Sequence, residues 1–296
     1  MTSSGHESAD DNEARAPRTQ RPAGVYFALL GTPGFFRDDM AVAEGIIQDY
    51  AKHGLDARAS AWSARHCSER MMYHLAKDLG IRQFLDLGAG YPIEPDLHQI
   101  ARHVSRDVRV VCVDSDPFVR DYWEIELSTS PAEHVTFLYA DVTDPQAVLT
   151  SPQVTQMLDL SQPIGLLLNN VLCFIPDSAQ PHDFVARYVD ALAPGSYMTL
   201  NHPTGDLRDM GKVVDVYNAN SDEGPLHLRS RDEILRFFTD SGLDLTGPGL
   251  VMSHSWRQDI VVPHIEGTPV MSRVRTFQIS DLEDSKYAAV GRKPAR

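Results

Sequence analysis

The 296-residue sequence has few cysteines and no long apolar run, and each shortage excludes a class of protein. Its three cysteines, Cys67, Cys112 and Cys173, are odd in number and widely spaced, which indicates reduced thiols in a cytoplasmic protein rather than a disulfide framework. No segment approaches the roughly 18 apolar residues of a membrane span. Residues 1–22 are rich in Ser, Asp, Glu, Arg and Pro and lack the apolar centre of a signal peptide, so we expect a disordered tail there.

The chain is also poor in positive charge, with 27 Lys and Arg against 41 Asp and Glu and a net charge of −14. A nucleic-acid or anionic membrane partner is therefore not expected. The sequence has no histidine pair at the i, i+4 spacing of a metal site, no Gly-x-Ser-x-Gly nucleophile pattern and no P-loop, so we expect metal-free chemistry. Hydrophobic residues make up 42% of the chain, enough for the core of one large domain.

The hydrophobic pattern predicts a helical lid over residues 23–80, followed by an α/β core over residues 81–296. Predicted strands of the core are 83–87, 109–113, 135–139, 164–168 and 196–200, and helical stretches separate them. Nearly continuous apolar strands with helical crossovers indicate a parallel sheet covered on both faces. We therefore predict a Rossmann-like, doubly wound sheet that is mostly parallel, with an antiparallel last strand near 284–291 and the N-terminal helical lid.

Residues 84–90, Phe-Leu-Asp-Leu-Gly-Ala-Gly, are the most informative segment of the chain. An apolar run ends at Asp86, and Gly88 and Gly90 then form a turn before an amphipathic stretch, an order typical of a strand, a tight loop and a helix that faces a ligand. Glycine lets a ligand approach the backbone amides. A dinucleotide loop usually has a third glycine where this chain has Ile93. A nucleoside with a cationic amino-acid tail therefore fits better than NAD.

Further acidic residues follow the second and third predicted strands, where ligands of such sheets bind. Asp114, with Ser115 beside it, is placed to bind the ribose hydroxyls of a nucleoside, a role that does not distinguish NAD from S-adenosylmethionine. Asp116 is interpreted as a cap of the helix that follows. Asp141 could accept the amino group of adenine while Val142 packs on the ring.

Polar residues also follow the fourth and fifth predicted strands. Asn169 and Asn170 leave a buried apolar strand, so their amides are expected to face a ligand or to cap a turn. They do not form the Asn-Pro-Pro-aromatic pattern of methylation on nucleic-acid bases. His202 is a candidate general base, because its ordinary pKa lies near working pH, although a lone histidine can equally be structural.

Together these residues resemble the class I S-adenosylmethionine-dependent methyltransferases, and more closely the actinobacterial methyltransferase family called DUF574. The resemblance spans roughly residues 22–293. It is carried by Val25-Tyr26-x-x-Leu29-Leu30-Gly31, by Arg65 and Arg70, by the Gly80–Gly88 segment, by Val113-Asp114-x-Asp116-Pro117, by Phe174-Ile175-Pro176-Asp177, by Arg229-Ser230 and by Val290-Gly291-Arg292-Lys293. The chain departs from the family around Thr32 and at Cys173, where the family usually has Gly-Lys-Asp-Asn and histidine. Both departures are expected near the acceptor and imply a specialised pocket.

The resemblance implies S-adenosylmethionine as cofactor, with S-adenosylhomocysteine as product, and suggests a role for each candidate residue. Gly88 and Gly90 would approach the amino-acid part of the cofactor, with Asp86 near its ammonium group. Asp114 and Ser115 would bind the ribose, and Asp141 and Val142 the adenine. Tyr26 and Arg65 would contact the cofactor from the lid, with Arg65 on its carboxylate, and Asn169 completes the predicted cofactor residues.

We therefore expect methyl transfer to a small acceptor, a secondary metabolite, at an electron-rich aromatic carbon such as that of an indole. The catalytic candidates are His202, Tyr26 and Asn169, and Tyr50 and Tyr217 are added as acceptor contacts. A homodimer is a further expectation. Two alternatives stay open: a nicotinamide-dependent oxidoreductase on the same sheet, and a family member that binds the cofactor without turnover.

Overall fold

The computed structural model describes residues 21–129, 133–219, 225–266 and 279–295, and the predicted tail up to residue 20 lies outside them. Their strands form one sheet: β1 Gln83–Leu87, β2 Arg109–Asp114, β3 Val135–Tyr139, β4 Gly165–Asn169, β5 Tyr197–Pro203, β6 Asp244–Leu245, β7 Val251–Met252 and β8 Lys286–Arg292. The order is β3-β2-β1-β4-β5-β8-β6, and β7 also pairs with β8. The first five strands are parallel and β8 is antiparallel to β5, which confirms the predicted doubly wound, mostly parallel fold.

The strand order reverses between β1 and β4, and this switch determines where a ligand can bind. Phe84 on β1 pairs with Val110 on β2 and with Gly165 on β4, and all five residues of β1 are buried. This register brings the carboxyl ends of β1, β2 and β4 to the same edge of the sheet. The loops that leave these ends diverge, because the helices that follow β1 and β2 pack on one face of the sheet and the helix that follows β4 packs on the other.

The helices of the described residues alternate with the strands after a helical N-terminal segment. They are α1 Pro22–Leu30, α2 Arg37–Lys52, α3 Ala57–Lys77, α4 Leu97–Val104, α5 Pro117–Thr129, α6 Pro145–Leu149, α7 Pro152–Met157, α8 Pro181–Ala191, α9 Gly211–Asn218, α10 Arg231–Thr239 and α11 Asp281–Asp284. The connection between β3 and β4 contains two short helices, because the Ser151 side chain caps a new helix that begins at Pro152.

The two faces of the sheet carry separate hydrophobic cores. One core joins Leu85 and Leu166 to helices α8 and α10, and the other joins Phe84 to α3, α4 and α5. Helix α3 is thus also part of the layer that covers the sheet. A third cluster joins α1, α2 and α9. The division into a lid over 23–80 and a core over 81–296 stays a prediction.

Candidate active site

A cavity of about 640 Å³ lies at the carboxyl edge of the sheet, at the switch between β1 and β4. Its walls come from the ends of β1, β2 and β4 and from helices α1, α2, α3 and α9. The predicted cofactor residues all line it: Tyr26, Arg65, Asp86, Gly88, Gly90, Asp114, Ser115, Asp141, Val142 and Asn169. The predicted acceptor contacts Tyr50 and Tyr217 line it as well. The structure therefore brings these residues together, while their individual roles remain predictions.

The turn after β1 has a backbone that only glycine adopts easily. Gly88 and Gly90 have φ angles of 72° and 65°, in the left-handed region. The amide of Gly88 donates to the Val113 carbonyl oxygen at 2.8 Å, which fixes the turn to the end of β2. A Cβ atom at Gly88 would lie 2.3 Å from Cγ2 of Val171, so this residue also has no room for a side chain.

Asp114 at the end of β2 both supports the glycine turn and faces the cavity. Its Oδ2 accepts a hydrogen bond from the Gly90 amide at 2.9 Å, and its Oδ1 accepts one from the Asp116 amide at 3.0 Å. Each carboxylate oxygen keeps a second lone pair for a ligand hydroxyl. Asp116 itself accepts from the Phe118 amide at 2.8 Å, the helix-capping contact interpreted from the sequence. Desolvation raises the pKa of Asp114 above its ordinary value.

Asp86 and Arg65 place an acidic and a basic side chain in the wall of the cavity. Asp86 is 7% exposed, and burial, with the neighbouring carboxylates of Asp96 and Asp114, raises its pKa to about 8. Arg65 is held by Glu69, whose Oε1 accepts from Nε at 3.0 Å, and by backbone carbonyls of the loop before α4. A ligand with both an ammonium and a carboxylate group would meet a complementary partner for each.

The remaining cofactor candidates differ in exposure. Asp141 lies exposed at the rim, where its Oδ1 accepts from the amide and the hydroxyl of Thr143, both at 2.8 Å. Val142 is buried beside it. The side-chain carbonyl of Asn169 accepts from the Thr199 hydroxyl at 3.3 Å, whereas its buried Nδ2 has no acceptor within the described part of the chain. Such a donor in a cavity wall fits a ligand oxygen.

The structure argues against His202 as a general base and so corrects that prediction. Pairing of β5 with β8 extends the strand to Pro203, three residues beyond the predicted end, so His202 is a strand residue without exposed surface and does not line the cavity. Its Nε2 accepts from Nη1 of Arg229 at 2.9 Å, and its Nδ1 donates to the Pro203 carbonyl at 2.7 Å. Burial and the Arg229 cation lower its pKa to about 3, so the ring stays neutral and its lone pair is occupied.

Tyr26, the second catalytic candidate, faces the cavity from α1. Its hydroxyl donates to the Ala61 carbonyl oxygen at 3.3 Å. Desolvation by burial raises the pKa of Tyr26 well above its ordinary value, so the phenol keeps its proton near neutral pH. The geometry therefore favours a role for Tyr26 in shaping the cavity and argues against a role as proton acceptor.

The apolar end of the cavity is lined by residues of the cluster that joins α1, α2 and α9. Phe174 stacks on Tyr217 with ring centroids 5.6 Å apart and an interplanar angle of 28°. The sequence did not identify further apolar residues of the lining, because they look like ordinary core positions: Leu29, Ile46, Met210, Val213 and Leu226. Of the two divergent positions, Cys173 lines the cavity, whereas the Thr32 hydroxyl donates to the Phe27 carbonyl at 2.8 Å at the end of α1.

The described residues lack both a cluster of metal ligands and a helix that could span a membrane. No group of three or more His, Cys, Asp or Glu side chains in the described ranges could hold a metal ion. No helix among those same residues is long and apolar enough to cross a membrane.

Comparison with known proteins gives one family match and close structural relatives. The family described as S-adenosyl methyltransferase matches residues 9–294. A DUF574 family protein from Streptomyces avermitilis is 30% identical, with 93% of this chain and 98% of that chain covered and a TM-score of 0.80. A candidate methyltransferase from Thermobifida fusca is 32% identical, with 97% and 100% covered and a TM-score of 0.81. No curated protein matches the chain.

Proposed function

The chain belongs to the S-adenosyl methyltransferase family, and on that premise we propose that it methylates a small, flat aromatic acceptor. The family uses S-adenosylmethionine, so membership favours this cofactor over a nicotinamide. We further propose that the acceptor is a secondary metabolite and that the methyl group is transferred to an electron-rich ring carbon such as that of an indole.

The division of the cavity into an acidic end and an apolar end is the observation that carries this proposal. Asp86 and Asp114 lie at the acidic end, next to the glycine turn, where a nucleoside with a charged amino-acid tail would fit. Phe174 and Tyr217 lie at the apolar end. Aromatic rings stack on such walls, and an apolar wall offers no compensation for a buried charge on the acceptor.

The cofactor supplies a methyl group already activated by a positively charged sulfur, so the protein's own residues have three tasks. Asp86 and Arg65 bind the two charged ends of the amino-acid part, and Asp114 binds the ribose hydroxyls. Tyr26 on α1 closes the cavity and excludes water. The apolar wall holds the acceptor in line with the methyl group, and alignment of this kind can supply a large part of the rate enhancement.

Binding and turnover test the proposal separately. Calorimetry should show binding of S-adenosylmethionine and S-adenosylhomocysteine without binding of NAD. Incubation with a panel of indoles, phenols and aliphatic amines should then release S-adenosylhomocysteine only with aromatic acceptors. Release with aliphatic amines alone would refute the aromatic acceptor, and cofactor binding without turnover on any acceptor would favour the non-catalytic alternative.

The substitution Asp114→Asn tests the ribose contact. It keeps the shape of the side chain but replaces one acceptor oxygen with a donor, so we expect cofactor affinity to fall by about tenfold or more. Asp121→Asn is the matched control, since Asp121 lies on the exposed side of α5 and pairs with Arg120. Equal affinity in the two variants would contradict the assignment.

A further inference from the structure

The turn after β4, residues 171–177, forms one wall of the apolar end of the cavity. Cys173, Phe174, Ile175 and Pro176 all line it. This segment contains one 3-10 turn, Leu172–Phe174, followed by extended residues up to Pro176, and no strand among the described residues pairs with it by backbone hydrogen bonds. Its position therefore depends on contacts from elsewhere in the chain.

Three hydrogen bonds to this segment come from Arg229, a buried residue just before the N-cap of α10 that does not line the cavity. Its Nη1 donates to the Leu172 carbonyl at 2.7 Å, and its Nη2 donates to the Ile175 carbonyl at 2.8 Å and to Oδ1 of Asp177 at 2.7 Å. One guanidinium group thus binds the turn at three points. The amide of His227 adds a fourth contact, to the Cys173 carbonyl at 2.7 Å.

His202 connects this guanidinium group to the sheet. Arginine can only donate, so the 2.9 Å contact between Nη1 and Nε2 of His202 requires Nε2 to accept and Nδ1 to carry the proton. Nδ1 donates this proton to the Pro203 carbonyl oxygen, with 2.7 Å between the two heavy atoms. The histidine is therefore fixed in one neutral tautomer and provides a buried acceptor for a cation that would otherwise lack a partner on that side.

We propose that Arg229 and His202 are positioning residues that hold the turn after β4 in place as the acceptor-side wall of the cavity. The acceptor-facing role of this wall rests on the proposed function, whereas the hydrogen bonds by which Arg229 and His202 hold the turn do not. A planar guanidinium is required, because lysine has a single nitrogen and cannot reach the separated carbonyls and the imidazole at once.

The thiol of Cys173 reports directly on the position of the turn. It is 2% exposed, and burial raises its pKa to about 12, so it should react slowly with iodoacetamide while the turn is in place. Cys67 and Cys112 lie in the core and provide internal controls. Peptide mass mapping over a time course gives the three rates from one sample.

We expect Arg229→Lys to accelerate modification of Cys173 by about tenfold or more, with Cys67 and Cys112 still protected, since lost hydrogen bonds of a buried charged group favour local opening. Arg236→Lys is the matched control, because Arg236 forms an exposed ion pair with Asp240. An unchanged rate at Cys173, or an equal rise at all three cysteines, would overturn the proposal.

Substitution of His202 distinguishes a role in accepting the hydrogen bond from Arg229 from a role in core packing alone. In His202→Gln the side-chain carbonyl can still accept from Arg229, so Cys173 should stay nearly as protected as in the unsubstituted protein. In His202→Phe the ring is kept and the acceptor is lost, so Cys173 should become reactive. Equal behaviour of the two variants would contradict the role of the hydrogen bond. Calorimetry with S-adenosylhomocysteine on the unsubstituted protein tests the proposed function independently, since the thiol readout needs no ligand.

Discussion

If Asp86 binds the ammonium group of the cofactor as proposed, its raised pKa makes cofactor affinity depend on pH in a direction that follows from the pKa. Burial raises this pKa to about 8, so the carboxyl is about 1% ionised at pH 6 and about 9% ionised at pH 7. If the ammonium group of the cofactor binds only the ionised carboxylate, affinity should rise by about tenfold over this one pH unit, equivalent to about 1.4 kcal/mol. Above pH 8 the gain from Asp86 should level off.

Calorimetry with S-adenosylhomocysteine measures both consequences of this linkage. The dissociation constant should fall by about tenfold between pH 6 and pH 7, and at pH 7 about 0.9 proton should be released per ligand, detected as a dependence of the heat on the buffer's ionisation enthalpy. Asp86→Asn is the matched control, because the amide keeps the shape and cannot ionise. It should bind more weakly and lose this pH dependence.

Two results would refute the reasoning about Asp86. One is an affinity of the unsubstituted protein that does not change between about pH 6 and pH 7. The other is the same slope in Asp86→Asn, because the titrating group would then lie elsewhere in the site or on the ligand.

Two further substitutions test the glycine turn and the ion pair of His254 with Asp284. Gly88→Ala should abolish cofactor binding and lower the free energy of unfolding, since its Cβ would lie 2.3 Å from Val171. Gly54→Ala is the control, because Gly54 has a similar φ of 69° and a Cβ there would meet no atom within 4 Å. This control should lower the free energy of unfolding by only about 1–2 kcal/mol, the cost of backbone strain. His254→Gln tests the pairing with Asp284, whose hydrogen bond raises the pKa of His254. The resulting stabilisation is complete below about pH 6.5 and is lost as pH rises through the folded-state pKa of His254. In urea unfolding, the free energy of unfolding of His254→Gln should therefore be lower than that of the unsubstituted protein by up to about 1 kcal/mol at about pH 6, and the difference should vanish at high pH.

The sheet and the cofactor end of the cavity could be predicted because local patterns determine them. Strand β1 is an unbroken apolar run, and the residues that follow parallel strands must meet at one edge of the sheet. That rule places Asp86, Asp114 and Asn169 together from strand ends alone. It failed at His202, because the end of β5 is determined by pairing with β8, about 85 residues further along the chain. An antiparallel partner prolongs a strand beyond its apolar run, and the local sequence carries no sign of this.

Beyond Tyr50 and Tyr217, the acceptor end of the cavity could not be predicted, for the same physical reason. Its walls come from α1 and α2, from the turn after β4 and from α9, which are distant in sequence and meet only in the fold. Each apolar residue there looks like an ordinary core position. The one local sign, the departure at Cys173, marks the turn that Arg229 holds. Changes of acceptor should therefore arise from substitutions on α2, on α9 and in this turn, with the strand-end residues of the cofactor site unchanged.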